Sequence, residues 1–416
     1  MLFFAATKTS TVMNIKKLAL AGSFFVFLCT HFSHSQDSSP TTFGKGLLNI
    51  VGKDSTWSSK VGARMQLLAI ANWENSETDG LQNPEQNFLV RRARLKFDGF
   101  VYTPKLRYKI ELGLSNRDIS GGSQFTGNTP RYIFDAVVKW NFYENFELWF
   151  GQTKLPGNIE RVISSGDLQQ VDRSLLNAKF NIDRDMGFQL RHHFKLGKQA
   201  LIREKFAFSQ GEGRNVTVGN LGGHQYTSRL EFLPFGKFQS KGDYKGADLA
   251  REETPKLMIG STYDLNKNAV KTRSNMGTYM FTDTGFYETD ISTFFMDFMF
   301  KYKGFSLMGE YANRDADDPI AKNLDGTETG DIVQIGNGLN LQTGYLLKKN
   351  WELSARFTSI KLDENITGKA PEKQYTLGLS KYIVGHKLKL QTDLSYLTVD
   401  QGTDELMFRL QLDVHL

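Results

Sequence analysis

Cysteine is nearly absent from the chain: Cys29 is its single example in 416 residues. It lies in an N-terminal leader, so the exported protein has no disulfide and no thiolate metal site. Long apolar runs are missing too. Beyond the N-terminus no stretch approaches the roughly 20 residues that a membrane-spanning helix needs. Charge of one sign is not in large excess, because removing residues 1–35 takes Lys8, Lys16 and Lys17 and no acid, leaving +6 less three, or +3. A broadly basic surface for nucleic acid is thereby excluded, and whatever the cations do follows from their placement. No nucleophile is set up for catalysis, the seven His are scattered, and the adjacent pair His192 and His193 faces opposite sides of any strand. The acids Asp315, Asp317, Asp318 and Asp325 lack calcium-loop spacing. No metal or cofactor site is expected.

The leader is informative. From Met13, the expected true start, Lys16 and Lys17 precede an apolar run from Leu18 to Cys29, and Ser33-His34-Ser35 supplies a small-x-small cleavage site. This is the pattern of a secretory signal peptide over 1–35, too short to be an anchor. A polar lead-in, 36–58, follows it.

From Lys60 onward the chain alternates with period two, segment after segment. In 105–115 one face is Leu106, Tyr108, Ile110, Leu112 and Leu114, while the other carries Lys105, Arg107, Lys109 and Glu111. The last segment sets Leu406, Phe408, Leu410, Leu412, Val414 and Leu416 against Arg409, Gln411, Asp413 and His415. Sixteen such strands are expected within 59–416, the first at 60–73 and 88–101. Tight turns such as Lys303-Gly304 alternate with long polar links around 74–87, 117–131, 155–185, 211–224, 265–291, 314–335 and 361–372, the 234–254 link being the exception. Strict alternation of short and long connections is the mark of a transmembrane antiparallel β-barrel, with short periplasmic turns and long outward loops. The fold class expected is all-β, in the outer membrane of a Gram-negative bacterium.

Charge then acquires a direction. In 87–100 the alternation places Arg92, Arg94, Lys96 and Asp98 toward the lumen, and Leu89, Ala93, Leu95, Phe97 and Val101 toward lipid. Arg91 falls on the lipid-facing parity, where the headgroup level is its expected position. A charged residue turned toward lipid would cost about 2–4 kcal/mol at mid-membrane, so register is strongly fixed. Lys60, Arg64, Arg92, Arg94, Lys96, Lys105, Arg107 and Lys109 form a run of lumenal cations that concentrates anions. The 155–185 link adds Arg161, Ser164, Ser165, Arg173 and Arg184, a mixture of guanidinium and hydroxyl donors suited to an oxyanion. Asp167, Asp172, Asp183 and Asp185 temper their charge.

Three blocks, RRARLKFDG (91–99), FELWFGQTKLPGNIERVISSGDLQQVDRSLLN (146–177) and RLEFLPFG (229–236), resemble the phosphate-selective porin O and P family. The resemblance implies a homotrimer of sixteen-stranded barrels whose third outward loop, here 155–185, folds inward and narrows the pore. It assigns Arg91 and Arg92 to the paired arginines of the second strand, and Arg161, Ser164, Ser165 and Arg173 to the donor positions of the loop. Arg94 stands where phosphate-selective members carry a tyrosine, and the loop holds extra acids. The function expected is passive passage of anions, with phosphate or polyphosphate as candidate solutes and outer-membrane lipid as surroundings. A channel for neutral solutes, a plugged binding barrel in an uptake complex and, behind these, a barrel enzyme are the alternatives.

Overall fold

A computed structural model describes residues 42–76 and 80–416. The signal-peptide reading lies outside these residues. Sixteen strands form one closed antiparallel sheet. They are β1 Trp57–Ser76, β2 Gly80–Val101, β3 Thr103–Gly113, β4 Ile133–Tyr143, β5 Phe146–Lys154, β6 Arg184–Leu196, β7 Ala200–Ser209 and β8 Gln225–Leu233. The second half comprises β9 Lys256–Ala269, β10 Thr289–Tyr302, β11 Phe305–Ala316, β12 Gly336–Leu346, β13 Trp351–Leu362, β14 Glu372–Val384, β15 Leu388–Val399 and β16 Asp404–His415. Each pairs with its neighbour in sequence, and β1 closes on β16 from Arg64↔His415 to Asn75↔Asp404. Closure leaves no open edge along the spanning wall, the condition for backbone polar groups in lipid.

The alternation of the sequence becomes an alternation of surroundings. On β16 Arg409, Gln411 and Asp413 are buried, while Phe408 and Leu410 are exposed on the outer face. Exposed aromatic residues near the short turns, among them Tyr102, Tyr143, Tyr345 and Trp351, suit the interfacial girdle of a membrane barrel. The β10–β11 turn is tight because Lys303 and Gly304 both take positive φ, 48° and 87°, which matches the twist of the flanking strands.

Three expectations are corrected. The link at 74–87 is largely strand: β1 runs 20 residues and β2 runs 22, forming a tall hairpin. Within the lead-in, Leu48–Val51 pairs antiparallel with Ser58–Val61 of β1, just beyond the point where Leu416 N donates to Ala63 O at 2.8 Å. Arg91 does not face lipid. Gln66 pairs with Arg92 and Leu67 with Val90, so Arg91 is the extra residue of a β-bulge. The bulge brings both arginines to buried positions and reverses parity on its N-terminal side. Phe88 and Val90 are therefore the exposed residues there, in place of the expected Leu89.

The inner face is not uniformly polar. Inward residues of β7–β13, including Ala207, Met258, Phe295, Met299, Met308, Ala312 and Ile360, form apolar clusters with Leu155, Ile159, Ile163, Leu168, Leu176, Phe180 and Ile182 of the segment 155–183. That segment lies inside the barrel, its apolar side chains packed on β7–β13 and its polar edge turned to the β1–β6 side.

Candidate anion path

Wall cations hold the inward segment in place. Its short helix Ile159–Val162 runs toward Lys154, whose Nζ donates to the carbonyls of Arg161, Val162 and Ile163 at 2.7, 3.2 and 3.2 Å. A second helix, Leu175–Phe180, is N-capped by Ser174. At its C-terminal end Arg314 donates to Lys179 O at 2.9 Å and Phe180 O at 2.6 Å. Both are cations placed on unsatisfied carbonyls at the negative end of a helix. Lys389 donates to Leu168 O at 2.9 Å and Arg356 to Asp172 O at 2.8 Å. These lumenal cations are loop anchors, a use that strand alternation alone does not reveal.

The residues singled out in sequence gather on the β1–β6 side. Arg64 forks onto Asp413 at 3.0 and 3.1 Å and donates to Ser165 Oγ at 2.8 Å. Arg91 and Arg92 share Asp172, at 2.5 and 3.0 Å. Arg94 bridges Glu111 at 2.9 Å and Asp118 at 3.0 Å. Arg161 pairs with Asp183, Lys96 with Asp98 at 2.9 Å and Arg107 with Glu147 at 2.6 Å. Ser164 Oγ accepts from Gly166 N at 3.3 Å. Arg173 differs: it donates to the neutral carbonyls of Glu160 and Ile163 at 2.9 and 2.7 Å.

Three cavities follow one another along this wall, of about 330, 220 and 290 Å³. Arg94 lines all three; Arg161, Arg173 and Arg184 line the first two, and Lys109, Glu111 and Ser164 the last two. Nine arginines and four carboxylates line the outer cavity. In the middle one, eight Lys and Arg side chains face two carboxylates. The excess lies in cations held by neutral partners. Arg214 donates to Arg131 O at 3.1 Å and Asp118 O at 2.7 Å, with its guanidinium 4.0 Å from the Phe134 ring centre. Lys139 and Arg191 lie 3.8 and 3.7 Å from the Trp149 ring centre. Such contacts satisfy donors without cancelling charge.

Sequence reasoning missed Arg131, Lys139, Arg191 and Arg214. Lys139 and Arg191 were within reach, since each sits on the inward parity of its strand. Arg131 and Arg214 belong to outward connections whose fold no periodicity reports.

The outer cavity also holds a titrating acid. Burial pushes the Glu212 carboxyl up to about 7, although the N–H groups of Leu221 and Gly222 donate to it and pull it down. Above that pH it carries a negative charge that offsets the arginines; below it the charge is gone. Anion preference should therefore rise as pH falls through about 7, and Glu212→Gln should hold it at the acid-side value. Reversal potentials on both sides of neutrality check this.

Among known proteins, the model of the phosphate-selective porin O and P family matches residues 64–407. No curated relative matches the chain. Among solved structures, an anion-selective porin from Comamonas acidovorans aligns with TM-score 0.50 and 11 % identity, covering 86 % of this chain and 100 % of that one. The outer membrane channel DcaP of Acinetobacter baumannii aligns with TM-score 0.50 and 12 % identity, covering 88 % and 99 %. With a closed sixteen-strand barrel and a family match over most of its length, the chain belongs to the phosphate-selective porin O and P family and is an outer-membrane porin.

Proposed function

We propose that this porin passes small anions, phosphate or polyphosphate among them, along the β1–β6 side of its lumen. The observation that carries the reading is the charge of the outer cavity, nine arginines to four carboxylates. Fixed charge in a confined, partly desolvated passage concentrates the opposite ion. Segment 155–183 acts as the constricting loop, and Arg64, Arg91, Arg92, Arg94, Lys96, Arg161, Ser164, Ser165 and Arg173 line the route, joined by Arg131, Arg214, Lys139 and Arg191, while Arg107, paired with Glu147, lies outside the three cavities. Guanidinium forks and hydroxyls match tetrahedral oxyanions in geometry as well as charge. The description of the Comamonas porin as anion-selective supports the same reading. Residues 1–35 act as the signal peptide, and the working unit is a homotrimer, as the family resemblance implies.

Adding phosphate to a planar bilayer carrying chloride current through the purified porin tests this. Phosphate that dwells at the guanidinium groups reduces the current saturably. A chloride current indifferent to phosphate, with equal passage of neutral sugars in liposome swelling, would favour a general diffusion channel instead.

A further inference from the structure

The link 234–255 breaks the rule that connections at the inner mouth are short, and it does not hang free. Phe238 is 5 % exposed, Ala247 2 % and Asp248 1 %. Phe238 joins the apolar cluster that contains Ile163 and Leu168 of the segment 155–183, with Met299 and Met308 of the wall. Lys301, buried on β10, donates to Lys245 O at 3.0 Å and Ala247 O at 2.8 Å. The link therefore rises into the barrel from the inner mouth.

There it meets the segment that enters from the outer side. Gly246 N donates to Asp167 O at 2.7 Å. A Cβ added at Gly246 would stand 2.5 Å from Gln169 N and 2.7 Å from Gln169 Cβ. The first of these neighbours is backbone, so no rotamer change relieves the clash. Gly246 is not among the glycines with positive φ, so closeness to 169, and not backbone freedom, is what requires a glycine there. The same tip faces the path, since Ser164 and Asp167 line the inner cavity.

We propose that the link 234–255 is a second constriction element, which clamps the tip of the outer loop at 164–170 and so sets the width and charge of the passage from the opposite mouth. The inference rests on the porin reading and deepens it: a periplasmic connection acts as a positioning element for selectivity.

Gly246→Val tests it against wild type and against Gly219→Val, whose added Cβ meets nothing within 4 Å. In planar bilayers Gly246→Val should raise single-channel conductance and raise the anion-over-cation permeability ratio roughly twofold, the effect of moving the one charge of the tip, the Asp167 carboxylate, several ångströms from the path. Gly219→Val should match wild type. Deuterium uptake by residues 164–170 should rise in Gly246→Val, a readout that does not depend on which solute passes. Should Gly246→Val fail to give a heat-modifiable barrel, Lys301→Met, which removes two donors to the link without adding bulk, should move the same readouts in the same direction. An assembled Gly246→Val, or Lys301→Met in its place, with wild-type conductance, ratio and uptake overturns the proposal. A wild-type protein that forms no channel while Gly246→Val still loosens 164–170 would sink the porin reading and leave the clamp standing.

Discussion

Arg173→Gln combined with Arg214→Gln lowers the chloride-over-potassium permeability ratio roughly tenfold. Each full charge about 6 Å from a water-filled path is worth roughly 0.7 kcal/mol, about half of that once salt screens it, and because it acts with opposite sign on chloride and potassium their ratio changes close to threefold. Glutamine keeps a donor for the carbonyls of Glu160, Ile163, Arg131 and Asp118 that these guanidinium groups now serve, so charge is lost with least disturbance to the loops. Asp172→Asn runs the other way. It removes the anion that Arg91 and Arg92 share and raises the ratio by about threefold on the same reasoning. Reversal potentials of the three proteins in one salt gradient check both signs. A ratio that moves in neither would mean that the lumenal field is set elsewhere.

Asp297→Ala destabilises the barrel by about 3–5 kcal/mol, the usual cost of stranding one member of a buried ion pair. Arg229 on β8 holds Asp297 on β10 across β9, at 2.6 and 2.8 Å, and donates through Nε to Glu231 at 2.8 Å. Both side chains of the pair are 0 % exposed. Gly260, on the strand between them, makes the span possible: a Cβ there would lie 2.4 Å from the Arg229 guanidinium and 2.5 Å from Asp297 Oδ1. Without Asp297 the guanidinium keeps a single carboxylate partner in Glu231. Urea unfolding in lipid vesicles should show the midpoint fall in Asp297→Ala and fall less in Asp297→Asn, which retains an acceptor. Equal midpoints for all three would show that water reaches Arg229.

Much of the barrel is legible in sequence because one physical rule acts on every strand: successive side chains meet oil and water. Where that rule holds alone, as on β16, the alternation of Leu410 and Leu412 with Gln411 and Asp413 already states which residues are buried. It fails where a second constraint intervenes. Arg91 misleads because a single extra residue reverses parity, and RRARLKF reads the same with or without a bulge. The run Thr293-Phe-Phe-Met-Asp-Phe-Met-Phe300 carries large apolar residues on both faces; Phe295 and Met299 turn inward because an inserted loop, not water, covers them. The hairpin at 74–87 escapes notice since strands above the membrane need no apolar face.

The candidate path was legible in part for the same reason. Arg64, Arg92, Arg94 and Lys96 follow from strand parity, yet carboxylates that periodicity does not bring together neutralise much of their charge, Asp413 and Asp172 foremost. The surplus charge sits on Arg173, Arg214 and Arg191, whose acceptors are carbonyls, an amide and aromatic rings. Deciding which cation is balanced requires knowing how the loops fold, and the alternation carries no information about that.

The most direct measurement is the zero-current potential of a single channel in a potassium chloride gradient at pH 8. Every surplus lumenal charge described above is positive, so the potential takes the sign of chloride permeation and shifts toward zero in Arg173→Gln with Arg214→Gln. A potential of potassium sign, or one that the double substitution leaves untouched, would contradict the assignment of the β1–β6 wall as an anion path.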